Sequence, residues 1–299
     1  MAGVVILGIF VGDAAFRSDR MPKRGETVMG SSFALGPGGK GSNQAVACAK
    51  MGGDAHFITK LGQDDFAQLA MNTWTKAGVT PQVEHIASSY TGAACIMIDD
   101  ATGDNAIIVT AGAAGLITAA DMDAKADLIQ SASVFITQLE QPMDAAVRAL
   151  EIAKAANVTT ILNPAPAAEL PDGMLALCDY VTPNETETES LTGIPVATED
   201  DAKRACEALR NLGVKTPIIT MGEQGVYLDG HGMVPAVSVG KVVETTGAGD
   251  AFNGSFAAAL SQGETPLDAV RQGCKTAGIS VTRPGAAASM PTLAEVKAL

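Results

Sequence analysis

The chain is short of positive charge, of paired cysteines and of long apolar runs, and each shortage removes a class of function. With 20 Lys and Arg against 33 Asp and Glu the net charge is −13, so the overall field repels nucleic acid and anionic membrane surfaces. Any phosphate has to be held by local loops. The five cysteines, Cys48, Cys95, Cys178, Cys206 and Cys274, lie far apart with no Cys-x-x-Cys pair, a pattern of isolated thiols in a reducing compartment. The three histidines, His56, His85 and His231, lack ligand spacing, and no transition-metal site is expected. The apolar run VVILGIFV at residues 4 to 11 is too short to span a bilayer and follows no basic segment. It reads as a first buried strand in a cytoplasmic protein.

What is present is an apolar fraction of 47%, a charged fraction of 18% and 32 glycines, the balance of a compact α/β protein and not of a disordered one. After Gly12-Asp13, read as a strand end with a carboxylate, residues 26 to 36 suggest an extended or hairpin element outside the main core. GPGGKGSNQ then leads into a helix from about Asn43 to Met51, placing Gly39, Lys40, Gly41 and Asn43 at a glycine-lined helix entrance. Lys40 is followed by Gly41 and not by Ser or Thr, so this is no P-loop.

Residues 54 to 87 read strand, helix, strand, with Phe66 and Trp74 as core residues of the helix. The runs at 93 to 99 and 105 to 110 flank a turn-rich linker and predict a hairpin that joins 26 to 36 in a small separate sheet. From 117 onward helices alternate with short apolar strands in a parallel rhythm. Ligands of such sheets bind at the carboxyl ends of strands, which orders the candidates: Gln138 and Glu140, Asn163, Asn184 and Glu187, then Thr220 with Gly222 and Gly225.

TTGAGD at 245 to 250 precedes a helix-like run of small residues. Its amides would converge on one point, backed by the positive end of the helix dipole, which makes an anion site. Asp250 there has two readings. It either caps the helix, or it is a base that takes a hydroxyl proton while Gly247, Ala248 and Gly249 hold a phosphoryl group.

Four motifs in order, GGKGSNQA at 38 to 45, LNPAPA at 162 to 167, TPNETE at 182 to 187 and TTGAGD at 245 to 250, together resemble the ribokinase-like carbohydrate kinases. Gly52 and Gly62 fit the first signature, and the resemblance runs from Val4 to about Pro291. It implies a three-layer α/β/α fold with a mostly parallel sheet, one domain over 1–299, and a β-sheet lid from segments of about 10–36 and 88–110 that also pairs two subunits.

It further implies transfer of the γ-phosphoryl of ATP to a sugar hydroxymethyl, with Asp250 as base and Asp13, Gly39, Lys40, Gly41, Asn43 and Glu140 around the sugar. ATP would meet Asn184, Thr220, Gly222, Glu223, Gln224, Gly225, Gly249, Asn253 and Cys274, and Asn184 with Glu187 would orient Mg²⁺ through water. A monovalent cation, potassium, would be held by Glu244, Thr246, Ser280, Arg283, Gly285 and Ser289, mainly through backbone oxygens.

Three positions depart from the pattern. Val11 stands where the family has Asn near the sugar, which opens 2-deoxyribose beside ribose as substrate; Glu244 replaces Asp; and Cys274 lies where relatives present a ring to adenine. A kinase for another small sugar or nucleoside, and a sensor with a dead kinase site, are the competing readings.

Overall fold

The computed structural model describes residues 2–299. The chain begins with β1 (Ala2–Leu7), leaves the core as β2 (Val11–Ser18) and β3 (Ser32–Gly38), and re-enters it through helix α1 (Lys40–Lys50). Next come β4 (Ala55–Leu61), α2 (Asp65–Ala77) and β5 (Thr80–His85), then a second excursion, β6 (Thr91–Asp99) and β7 (Asn105–Gly112). The alternating half follows with α3 (Ala119–Ala124), α4 (Ala126–Gln130), β8 (Ala132–Thr137), α5 (Met143–Ala155), β9 (Thr159–Leu162), β10 (Tyr180–Val181), α6 (Glu185–Thr192), α7 (Glu199–Asn211) and β11 (Thr216–Thr220). It closes with β12 (Val226–Leu228), β13 (Gly232–Val234), α8 (Ala248–Ser261), α9 (Pro266–Ser280) and α10 (Leu293–Lys297).

The large sheet has the order β13-β12-β11-β10-β9-β8-β1-β4-β5, parallel from β11 to β5 and antiparallel at the β12–β13 edge. Alternate residues of β1 face opposite layers. Val4 and Ile6 pack with α1, α2, α8 and α9, while Val5 and Leu7 pack with α3, α4 and α5. This is the expected three-layer arrangement, and it follows from a central strand having to bury both faces. Helix α8 is buried on every side from Asp250 to Ala259, because its small residues let α1 and α9 close over it. Trp74 is fully buried edge-on to Phe57, whereas Phe66 is only half-buried.

The small sheet has the order β3-β2-β6-β7. The hairpin β6–β7 forms as expected, and β3 joins through β2, which pairs antiparallel to β3 and parallel to β6. Gly12-Asp13 therefore lies inside a strand and does not end one. The helix at the first glycine motif starts at Lys40, three residues ahead of the expected Asn43, because Gly39 at φ 89° turns the chain directly into it. Among the described residues no helix is long and apolar enough to cross a membrane.

Candidate active site

The candidates at the carboxyl edge of the large sheet lie at or just past strand ends: Gln138 and Glu140 after β8, Asn163 after β9, Asn184 and Glu187 after β10, Thr220 as the last residue of β11, and Gly222 and Gly225 after it. The two glycine-rich helix entrances, α1 and α8, point into the same region. At α8, Gly247 takes the left-handed conformation (φ 80°), and a Cβ there would lie 2.9 Å from that of Ala286, so only glycine lets the turn sit against that loop. The Ala248 amide donates to the Thr245 carbonyl at 3.1 Å, while those of Gly247 and Gly249 have no acceptor among the described residues. The anion-binding turn thus presents two free amides of the three expected.

Asp250, in the first turn of α8, is 6% exposed, with Asn43 donating to Oδ2 at 2.9 Å and Gln44 to Oδ1 at 3.1 Å. Burial pushes its carboxyl up, against the opposing pull of the Lys40 charge and the two amide donors. As a cap Asp250 would accept from α8's own backbone. Its oxygens are turned instead to α1.

Lys40 also acts on Glu140 and Glu187, so one ammonium serves three partly desolvated carboxyls. Glu140 Oε2 accepts from the Lys40 backbone amide at 2.7 Å, and burial raises its carboxyl to about 7. Asp13 is raised to about 6 by the same cause and packs against Gly38, where a Cβ would collide with its carboxylate.

Two adjoining cavities meet at α8. The smaller, about 200 Å³, is lined by Lys40, Asn163, Asn184, Glu187, Gly247, Gly249, Asp250 and Asn253 among others. The larger, about 580 Å³, is lined by Asn184, Thr220, Gly222, Glu223, Gly225, Gly249 and Cys274, and by the loop from Ala236 to Val242. Gln224 lines neither; its side chain turns to the Ala197 carbonyl at 3.4 Å. Asn253, expected beside the nucleotide, lines the smaller cavity and bonds Thr182 Oγ1 and the Gly249 carbonyl.

Asn184 caps α6 reciprocally with Glu187: Asn184 Oδ1 accepts from the Glu187 amide at 2.8 Å, and Glu187 Oε2 accepts from the Asn184 amide at 2.9 Å. One oxygen of the nearly buried Glu187 is left over. In the candidate monovalent-cation group, Glu244 reaches the Gly285 amide at 2.8 Å, and Arg283 pairs with Glu295 at 2.5 Å. The Ser280 and Ser289 hydroxyls donate to the Ala277 and Ala286 carbonyls, and Thr246 is exposed.

The loop from 236 to 242 lies outside the residues the sequence singles out. Its three valines, Val237, Val239 and Val242, carry no recognisable motif, and Gly278 of α9 makes room for it, since a Cβ there would fall 2.0 Å from the Val237 carbonyl oxygen.

A nearly buried carboxylate beside free helix-terminal amides, in a polar cavity that adjoins a larger apolar one, fits phosphoryl transfer between two molecules. The sequence matches the pfkB family carbohydrate kinases over residues 1–293. The chain belongs to that family. As a pfkB carbohydrate kinase it is a phosphotransferase acting on a sugar hydroxyl.

Among its relatives, a ribokinase of Staphylococcus aureus is 40% identical over 299 residues, covering 98% of both chains. A deoxyribokinase of Salmonella typhi is 36% identical, covering 97% of this chain and 96% of that one. The structure of Arabidopsis thaliana ribokinase complexed with ribose and ATP superposes with a TM-score of 0.91 at 29% identity, covering 99% of this pfkB kinase and 97% of that chain.

Proposed function

We propose that this pfkB kinase transfers the γ-phosphoryl of ATP to the 5-hydroxymethyl of ribose. The observation that carries the reading is the placement of Asp250 in the wall of the smaller cavity, beside the free amides of Gly247 and Gly249, the latter lining both cavities. Ribose enters between Asp13, Gly39, Lys40, Gly41, Asn43 and Glu140, whose carboxylates, amide and ammonium match a ring of hydroxyls as acceptors and donors. Asp250 takes the hydroxymethyl proton as the oxygen attacks. The amides stabilise the charge on the transferring group without having to reorganise. ATP lies along the larger cavity, with Thr220, Gly222, Glu223 and Gly225 at its phosphates and ribose, and Cys274 in the apolar wall.

The donor set also fits magnesium. Glu187 keeps one carboxylate oxygen free of the α6 cap and faces the smaller cavity, which suits an ion that retains its water and takes few protein ligands. Asn184 and Glu187 would hold its water shell, and the ion would neutralise phosphate charge. Glu244, Thr246, Ser280, Arg283, Gly285 and Ser289 are assigned to a potassium ion under the α8 turn. The Glu244 carboxylate reaches the Gly285 amide despite its extra methylene, and Arg283, committed to Glu295, contributes its backbone only. A rate indifferent to potassium removes that assignment.

A second reading rests on Val11. Strand alternation puts it on the face of β2 that carries Asp13, and it is buried in an apolar cluster where a hydroxyl finds no partner. The kinase then takes 2-deoxyribose in preference to ribose. ADP release measured over a sugar panel separates the readings by kcat/KM; no turnover with any sugar overturns both.

The small sheet serves as lid and homodimer surface in this reading. Register places Phe16, Phe33, Leu35 and Ile108 on one face, each about half exposed or more. An apolar patch of this kind favours a second copy. Sedimentation of a monomer at micromolar concentration would remove the dimer.

A further inference from the structure

Asp250 needs its carboxylate both ionised and aimed, and burial opposes the first. The side chains beneath it form a chain of amides. Gln44 Nε2 donates to Asp250 Oδ1 and to Asn163 Oδ1, each at 3.1 Å; Asn163 Nδ2 donates to the Thr182 backbone carbonyl at 3.3 Å; and Gln138 Nε2 donates to Gln44 Oε1 at 2.5 Å. We propose that Gln44 is a positioning residue for Asp250, and that the Thr182 carbonyl, acting through Asn163, fixes which end of the Gln44 amide meets the carboxylate. This rests on the reading of Asp250 as the base.

The direction of the chain follows from chemistry. A backbone carbonyl only accepts, so the Asn163 nitrogen turns to it and the Asn163 oxygen turns to Gln44. Gln44 must then offer nitrogen on that side, and its two N–H groups meet Asn163 and Asp250. Reversing the chain would set the Gln44 oxygen against the Asp250 carboxylate and the Asn163 oxygen against the Thr182 carbonyl, two repulsive contacts in place of two bonds.

Gln44 and Gln138 are fully buried, so water cannot relax the reversed state at the Gln44 amide, even though Asn163 and Asp250 edge the smaller cavity. The backbone seats the chain as well. A Cβ on Gly254 of α8 would lie 2.3 Å from the Gln44 carbonyl oxygen, so α1 and α8 touch where Gln44 must reach Asp250. A Cβ on Gly8 would lie 2.6 Å from Gln138 Oε1, so Gln138 fills a slot that glycine leaves.

The charged groups around Asp250 are Lys40, Glu140 and Glu187; the lysine favours the carboxylate and the two acids oppose it. The Gln44 donor adds to the lysine's pull. Replacing it by a side chain of equal length without a donor leaves the carboxyl easier to protonate and free to rotate.

The test is Gln44→Met in the full-length enzyme. Expected are a fall in kcat on the order of 10- to 100-fold, an acid limb of the kcat/KM profile displaced to higher pH, and KM for ATP unchanged. Asn163→Leu leaves Gln44 intact but removes the lock, and should displace the limb in the same direction by less; it decides the matter should Gln44→Met not fold. Wild-type kcat and pH profile in either folded variant would overturn the proposal. Asp250→Asn run alongside tests the base itself. If Asp250→Asn is inactive at every pH while Gln44→Met behaves as wild type, the base stands and the positioning role falls; if Asp250→Asn stays active, the underlying reading falls.

Discussion

The two cavities that meet at α8 are built on different principles. Behind the smaller, on the side proposed for the sugar, stands a lattice of buried side chains that hold one another, Asn43 and Gln44 on Asp250 and Glu140 on the Lys40 amide. The larger, proposed for the nucleotide, is mostly backbone and valine: Gly222, Gly225 and Gly278 open space, and Val237, Val239 and Val242 line it. Where a proton must be taken from one hydroxyl, angles matter and the protein fixes them with hydrogen bonds. Where a flat base has only to be covered, shape suffices, and the wall is looser and more exposed.

That contrast breaks most severely at Asp250. Asp250→Asn keeps the shape and both cavities but removes the proposed base, and kcat should fall by about 10²- to 10⁴-fold in an ADP-release assay with KM for ATP little changed. A small loss would mean that the lattice serves binding alone.

Glu140 gives the next effect, in stability against pH. Burial raises its carboxyl from 4.5 to about 7, so the folded chain binds this proton more tightly than the unfolded one. Its contribution is therefore fully present below pH 4.5 and lost as pH rises through 7, a difference of about 3 kcal/mol over the window. Thermal melts of wild type minus Glu140→Gln should show this decline without sugar. Saturating sugar should reduce it, since hydroxyls that donate to the carboxylate favour the charged form.

On the nucleotide side the effects should be confined to ATP. Gly278→Ala puts a methyl where the Val237 carbonyl oxygen lies, displacing the loop, and should raise KM for ATP about tenfold, the cost of roughly 1–3 kcal/mol for overpacking, with KM for the sugar held. A matching rise in sugar KM would show that the two sides are one lattice. Smallest is Cys274→Ser, nearly isosteric at an apolar wall, expected to change KM for ATP by about threefold or less. A larger change would give the thiol a part in seating the base.

The sequence made the glycine-rich helix entrances legible because their signal is local: a few consecutive residues prescribe the turn, the free amides and the helix that follows. The parallel sheet and its edge candidates were legible from periodicity. Strand β2 was not, because Gly12 breaks the β pattern at the point where it packs flat on the Phe66 ring. Gln44 lies within the GGKGSNQA motif, yet nothing in that motif sets it apart. Its importance comes from partners 119 and 206 residues away, Asn163 and Asp250, which no short window contains. Gln138 and Asn163 were placed correctly at the strand ends, but their common partner was not visible.

The small sheet is pinned at its root. The chain leaves the core after Leu7 and returns at Lys40, and the two crossings touch, since the Ile9 carbonyl accepts from the Ser42 amide at 3.3 Å and leaves no space for a Cβ on Gly39. The segment Val11–Gly38 is in effect a lever whose fulcrum lies beside the proposed sugar site. Asp13 sits on the lever and Lys40 on its mounting. A tilt of about 5° would sweep the end of the eight-residue strand β2, about 25 Å out, through roughly 2 Å while altering the spacing at Asp13 by only about 0.5 Å, so a movement far from the proposed sugar site would be geared down to a fine adjustment at it.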